Sequence, residues 1–260
     1  MKPTKPLALS LSLAAAMLSV GATANAEVLA TVDDTFVRED FGTSSSRGLY
    51  PNLEMRTETN TAKNHLGYLR FDTSSLQQVT AASLQWFWYD NQSVPLEVTV
   101  YALNDGVSGE VWDEQSLTYN TAPGLDQDGI TPQTEANNGA SETEIQDLDL
   151  SQLTLIAPST EVTQVEGQQY TVPAQGTALI DFLNADTNGS VTFIIAREAL
   201  NTTRLINLTS KDAESSASGV LSGEAGDFAP TLTVTTVPEP GSLGLIATGL
   251  ACLFSRRRHA

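Results

Sequence analysis

The sequence predicts an all-β protein, a single jelly-roll-like β-sandwich with an apolar segment at each end. Three observations carry this. Between the ends the chain is rich in Thr, Ser, Asn and Gly, and its apolar residues fall in short runs, several alternating with period two. One segment alone, 177–184, has helical spacing. The strand-like runs recur with turn residues between them, and some connections are long enough to cross between sheets.

At the N-terminus, Lys2 and Lys5 form a basic region, Leu7 to Val20 an apolar one, and Ala24-Asn25-Ala26 a small-x-small cleavage site. That order makes residues 1–26 a secretory signal peptide removed by signal peptidase, with Ala24 and Ala26 marking the cut. Residues 27–237 are the exported domain.

Its elements follow in order. Val28 to Val32 and Thr35 to Arg38 read as short strands around Asp33-Asp34, and a Gly/Ser loop leads to a strand at Leu53 to Arg56. Leu66 to Phe71 alternates as a strand with one buried face. Ala82 to Tyr89 and Leu96 to Leu103 are the strongest strands, and Asn91-Gln-Ser93 between them predicts a hairpin. The polar, acidic stretch 124–144 reads as a long exposed loop. Strands are expected again at 145–150, 153–157, 161–165 and 168–172, then a helix over 177–184 capped by Thr177, then strands at 190–196, 204–209 and 231–236.

Beyond Val237 come Pro238-Glu239-Pro240, an uncharged apolar run from Gly241 to Phe254, and Arg256-Arg257-Arg258. The prolines deny helix until the run begins. As a helix the run reaches ~21 Å, short of a ~30 Å hydrocarbon core, and snorkelling arginines at its end lengthen its reach. The basic tip stays on the cytoplasmic side. Residues 238–260 therefore read as a short transmembrane sorting helix, and the chain meets a membrane only there.

This tail resembles the PEP-CTERM sorting signal of Gram-negative bacteria. The resemblance implies recognition by an exosortase processing enzyme, cleavage near Pro238-Glu239-Pro240, transient anchoring in the inner membrane, and delivery to the cell surface or the exopolysaccharide matrix.

Charge narrows the partners. Five of the 13 basic residues (Lys2, Lys5, Arg256, Arg257 and Arg258) lie at the two ends, leaving eight against 31 acidic residues over Glu27 to Pro240, a net charge of −23. Such a surface repels nucleic acid and anionic lipid, which require a cationic footprint. Neutral sugars and cations remain as partners. The only cysteine, Cys252, lies in the tail, so the exported domain has no disulfide.

A second resemblance rests on Tyr68-Leu-Arg-Phe-Asp-Thr-Ser-Ser-Leu76, Ala81 to Trp86, Val98 to Tyr101, and Trp112-Asp-Glu-Gln-Ser-Leu-Thr-Tyr-Asn-Thr-Ala-Pro123. These segments, with Thr35 to Arg38 and 177–195, are similar to the DNRLRE-type domain, carbohydrate-binding module family 96. Tyr119 stands where that family usually has tryptophan. The resemblance implies a β-sandwich that binds polysaccharide, uronans such as alginate being one ligand class, although the −23 charge opposes a uronan here.

Candidate glycan contacts are aromatic, because sugars lay their C–H faces on rings. Alternation places Leu84, Trp86 and Trp88 in the core and Phe87 and Tyr89 on the opposite face. Trp112 is expected to pin its own loop or to touch a ligand, and Tyr50 lies in a turn-rich loop. For metal, Asp33, Asp34, Asp113, Glu114, Asp126 and Asp128 offer the hard oxygens that suit Ca²⁺. No motif calls for any other cofactor. Catalysis has no motif to rest on: His65 is the only histidine before the tail and is expected at a strand edge, and no serine elbow, zinc helix or phosphate loop is present. The expectation is a non-catalytic, glycan-binding protein of the exopolysaccharide. The alternatives are a structural biofilm-matrix protein without a defined sugar and, third, a polysaccharide lyase or hydrolase.

Overall fold

The computed structural model describes residues 24–39, 46–56, 64–125, 148–197 and 204–237. The expected signal peptide up to residue 23, the acidic loop from Asp126 through Asp128 to residue 147, and the tail with Pro238, Glu239, Pro240, Arg256, Arg257 and Arg258 lie outside them. Residues 24–237 form one compact unit.

Eleven strands and one α-helix make up the described residues: β1 (Asn25–Ala30), β2 (Asp33–Arg38), β3 (Asn52–Met55), β4 (His65–Asp72), β5 (Gln78–Phe87), β6 (Leu96–Leu103), β7 (Leu153–Val162), β8 (Gln169–Thr171), α1 (Ala178–Ala185), β9 (Ser190–Ala196), β10 (Ile206–Thr209) and β11 (Thr231–Val237). A four-stranded sheet, β1-β11-β5-β8, faces a five-stranded sheet, β2-β4-β9-β6-β7, and β10 pairs with β3 at the side. The protein is an all-β sandwich, as its periodicity predicts.

The core between the sheets takes Leu84, Trp86, Leu232 and Val234 from the first sheet, Trp88 from just past the end of β5, and Phe36, Leu69, Phe71, Val98, Val100 and Phe193 from the second sheet. Trp86 and Trp88 meet edge to face at 5.8 Å, and Tyr170 lies 5.1 Å from each ring. Such aromatic contacts add about 0.5–1.5 kcal/mol each to the area they bury. α1 closes one end: Leu179 and Leu183 enter the core, and Asn184 clamps Val79 of β5 by accepting from its N–H at 2.8 Å and donating to its carbonyl at 2.9 Å.

Six expectations need correction. β5 and β6 lie in different sheets and form no hairpin; the Asn91-Gln-Ser93 segment is a crossover. Leu66 to Phe71 is buried on both faces except at Arg70, because residues 107–125 cover the far side of the five-stranded sheet with Trp112, Leu117, Tyr119 and Ala122. The strands expected at 153–157 and 161–165 are one strand, β7, which runs through Pro158. Leu150 to Gln152 is a 3₁₀ turn, with Asp149 accepting from the Ser151 N–H. His65 lies 1 % exposed in β4, an interior strand, with Nδ1 3.6 Å from Glu54 Oε2. Thr177 does precede α1, but its hydroxyl donates to the Asp181 carboxylate instead of capping a backbone N–H.

Candidate functional site

Two features stand out, a buried carboxylate cluster and a sheet face without charge. The cluster begins at the start of β2. Alternation sends Asp33 and Asp34 in opposite directions, and Asp33 sits across from Arg70 of β4, with which it forms an ion pair. Asp34 is fully buried. Its Oδ2 accepts from the Lys211 N–H at 2.7 Å and the Thr31 hydroxyl at 3.2 Å. Glu114, from the segment covering the five-stranded sheet, accepts from the Asp34 N–H through Oε2 at 3.3 Å and from the Lys211 ammonium through Oε1 at 2.8 Å. Lys211 Nζ also lies 3.4 Å from Asp212 Oδ2. One carboxylate oxygen each from Asp34, Glu114 and Asp212 lies within 4.8 Å of the others. Asp34 Oδ1 is buried with no hydrogen-bond partner among the described residues.

Burial pushes the Asp34 carboxyl up to about 7, against the pull of the Lys211 N–H and ammonium. At Lys211, burial pulls down, but Glu114 and Asp212 more than offset it and leave the ammonium above its ordinary value. Backbone packing fixes the cluster: a Cβ on Gly48 would stand 2.3 Å from the Glu114 carbonyl oxygen, so only glycine lets these chains approach so closely.

Of the acids singled out in the sequence, Asp34 and Glu114 come together here. Asp33 does not join them, being held by Arg70 and by the Glu114 N–H at 3.4 Å. Asp126 and Asp128 lie outside the described residues. Asp212 was invisible in the sequence: it follows β10 in a polar stretch, and nothing local distinguishes it from other loop acids.

The second feature is the outer face of the four-stranded sheet. Registers place Ala30, Thr231, Gln85 and Thr171 in one row, Val28, Thr233 and Ser83 in the next, and Ala26, Thr235 and Ala81 beyond. Phe87 and Gln169 form the row at the other end. None of these side chains is ionisable, on a chain of net charge −18. The amides and hydroxyls form a ladder: Gln169 Nε2 donates to Gln85 Oε1 at 3.3 Å, and Gln85 Nε2 to Thr171 Oγ1 at 3.2 Å.

Phe87 and Tyr89 alternate out of the core as expected and are half-buried, Phe87 lying edge-on to Phe228 at 6.1 Å. Tyr50 is 42 % exposed, with the Arg47 guanidinium 4.7 Å over its ring. Trp112 is different. At 6 % exposure, with Nε1 donating to Thr192 and its ring edge-on to Tyr68 at 6.0 Å, it pins its segment and has no face to offer a sugar. Ala24 and Ala26, at the expected cleavage site, are exposed, Ala26 in the edge strand β1.

A cleft of about 510 Å³ beside α1 is lined by Asn104, Asp105, Asp181, Phe182 and Asp186 among others. Its acids are occupied locally: Asp105 accepts from the Thr187 N–H and hydroxyl, Asp181 from Thr177, and Asp186 from Thr73. Among the described residues no helix is long and apolar enough to cross a membrane.

No curated protein matches the chain. Family models do match two segments. The first stops at residue 152, so β7 to β11 and α1 complete the sandwich outside it. The chain thus joins a segment similar to carbohydrate-binding module family 96, over residues 25–152, to a match with the PEP-CTERM protein-sorting motif over residues 236–258.

Proposed function

We propose that this is a non-catalytic protein, sorted to the cell surface through an exosortase, that binds a neutral polysaccharide on the outer face of its four-stranded sheet. The uncharged rows of β1, β11, β5 and β8 carry this reading. A domain with so many acids repels polyanions nearly everywhere, yet this face offers hydroxyls and amides that exchange hydrogen bonds with sugar hydroxyls at no charge-desolvation cost. Phe87 and Tyr89 supply ring surface at one end. The similarity to a carbohydrate-binding module supports the ligand class, and the sorting motif supports the address.

Affinity electrophoresis of the full chain through gels carrying neutral glucans, galactans or alginate tests it. The expected result is retardation by a neutral polymer at micromolar to millimolar affinity, weakened in Phe87→Ala and Tyr89→Ala, with none by alginate. Retardation by no polymer would leave a structural matrix protein. Release of reducing sugar or unsaturated ends would instead identify an enzyme. Mass spectrometry of the secreted protein, expected to begin at Glu27 and end near Pro238, tests signal-peptidase and exosortase processing together.

A further inference from the structure

We infer that Asp34, Glu114 and Asp212 form a binding site for one divalent cation of the Ca²⁺ class. Three segments remote in sequence bring a carboxylate oxygen each to within 4.8 Å of the others. The independent observation is Asp34 Oδ1, an acceptor on a side chain 0 % exposed, for which no described residue supplies a donor. Native structures rarely leave such an atom unsatisfied, and an unplaced ion is among the ordinary reasons when they do.

Charge agrees with this. Arg70 is committed to Asp33, so Lys211 is the cation facing three carboxylates. Its ammonium reaches Glu114 and Asp212, and it meets Asp34 only through its backbone N–H. Two negative charges are left over when all three acids are ionised, which one divalent ion balances. The donors are all oxygens, which selects a hard cation, and three carboxylates from three separate segments suit the flexible coordination of Ca²⁺ better than the strict octahedron of Mg²⁺. On binding, the ion takes the place of the Lys211 ammonium on Glu114. It then ties β2, the segment that covers the five-stranded sheet and the loop after β10 to one point, in a domain without a disulfide. This site does not depend on the glycan reading.

Calorimetric titration of the chelator-stripped full chain with CaCl₂ decides it, alongside Asp212→Asn and Lys211→Met. Asp212 is partly exposed, so its variant keeps the fold. The wild type should bind one Ca²⁺ and melt higher when loaded. Asp212→Asn should lose binding by at least tenfold. Lys211→Met should bind about tenfold more tightly, since a competing charge a few ångströms away is gone from a partly solvated site. No saturable heat up to millimolar Ca²⁺ overturns the site, as does a wild-type isotherm in Asp212→Asn, which would place the ion elsewhere. Weaker binding in Lys211→Met would refute displacement of the ammonium.

Discussion

The Trp112 indole N–H donates to the Thr192 hydroxyl across 3.0 Å, both groups buried, and this bond ties the covering segment to the middle of β9. The same ring meets Tyr68, whose hydroxyl donates to the Pro123 carbonyl at 2.9 Å, so both ends of the segment are fastened. Trp112→Ala should therefore lower stability by about 3–5 kcal/mol, and Trp112→Phe by about 1 kcal/mol for the lost hydrogen bond. Urea denaturation measures both, and glycan affinity measured below the transition should not change.

Gly48 and Gly106 separate two kinds of constraint. Gly106 has φ +79° with open space around it, so Gly106→Ala meets only backbone strain and should cost about 1–2 kcal/mol. At Gly48 a methyl collides with the Glu114 backbone, and Gly48→Ala should cost about 1–3 kcal/mol or more while shifting the carboxylate cluster. Urea midpoints at constant slope rank the two.

Asn184 satisfies both backbone groups of Val79 from α1. Asn184→Ala leaves them unpaired beneath the helix and should cost about 1–3 kcal/mol, with Asn184→Asp, which keeps the acceptor, in between. Amide exchange at Val79 should accelerate in both variants.

Glu166 sets an acid limit. Hydrogen bonds from Ser216 and Ser218 hold its carboxyl down at about 2, from an ordinary value of 4.5. A depressed carboxyl contributes its stability above the unfolded value and loses it as pH falls toward the folded one. Melting temperature should therefore drop between pH 4.5 and 2, and Glu166→Gln should flatten that part of the profile. An unchanged slope would show that Glu166 contributes nothing to acid unfolding.

Strands such as β9 and β11 were legible because their inward residues are apolar or β-branched over the whole length, and that pattern is local. Sheet membership is not local. Asn91-Gln-Ser93 carries the same turn residues whether the chain doubles back or crosses to the other sheet, so local composition does not separate a hairpin from the crossover that forms. Pro158 looked like a strand end, yet β7 is an edge strand whose pairing with β6 slips nearby, and an edge tolerates a residue without N–H. For the candidate site, Asp34 and Glu114 could be picked out as acids near strands, but their union with Asp212 depends on a contact spanning 177 residues between Asp34 and the neighbouring Lys211. Trp112 pins its own loop as expected, but its partner Thr192, 80 residues away on β9, is named by no local pattern.

The antiparallel pairing of β1 with β11 sets Glu27, the first residue after the expected cleavage site, against Val234, three residues before β11 ends, so both ends of the sandwich lie at one pole. Phe87 lies nine positions along β5 from Gln78, the partner of Val237, which places it about 30 Å away. Anything still attached beyond Val237 pulls on the pole farthest from the rings. In the proposed function, polymer binding at the rings and cleavage beyond Val237 act at opposite ends of the sheet, so neither step has to wait for the other.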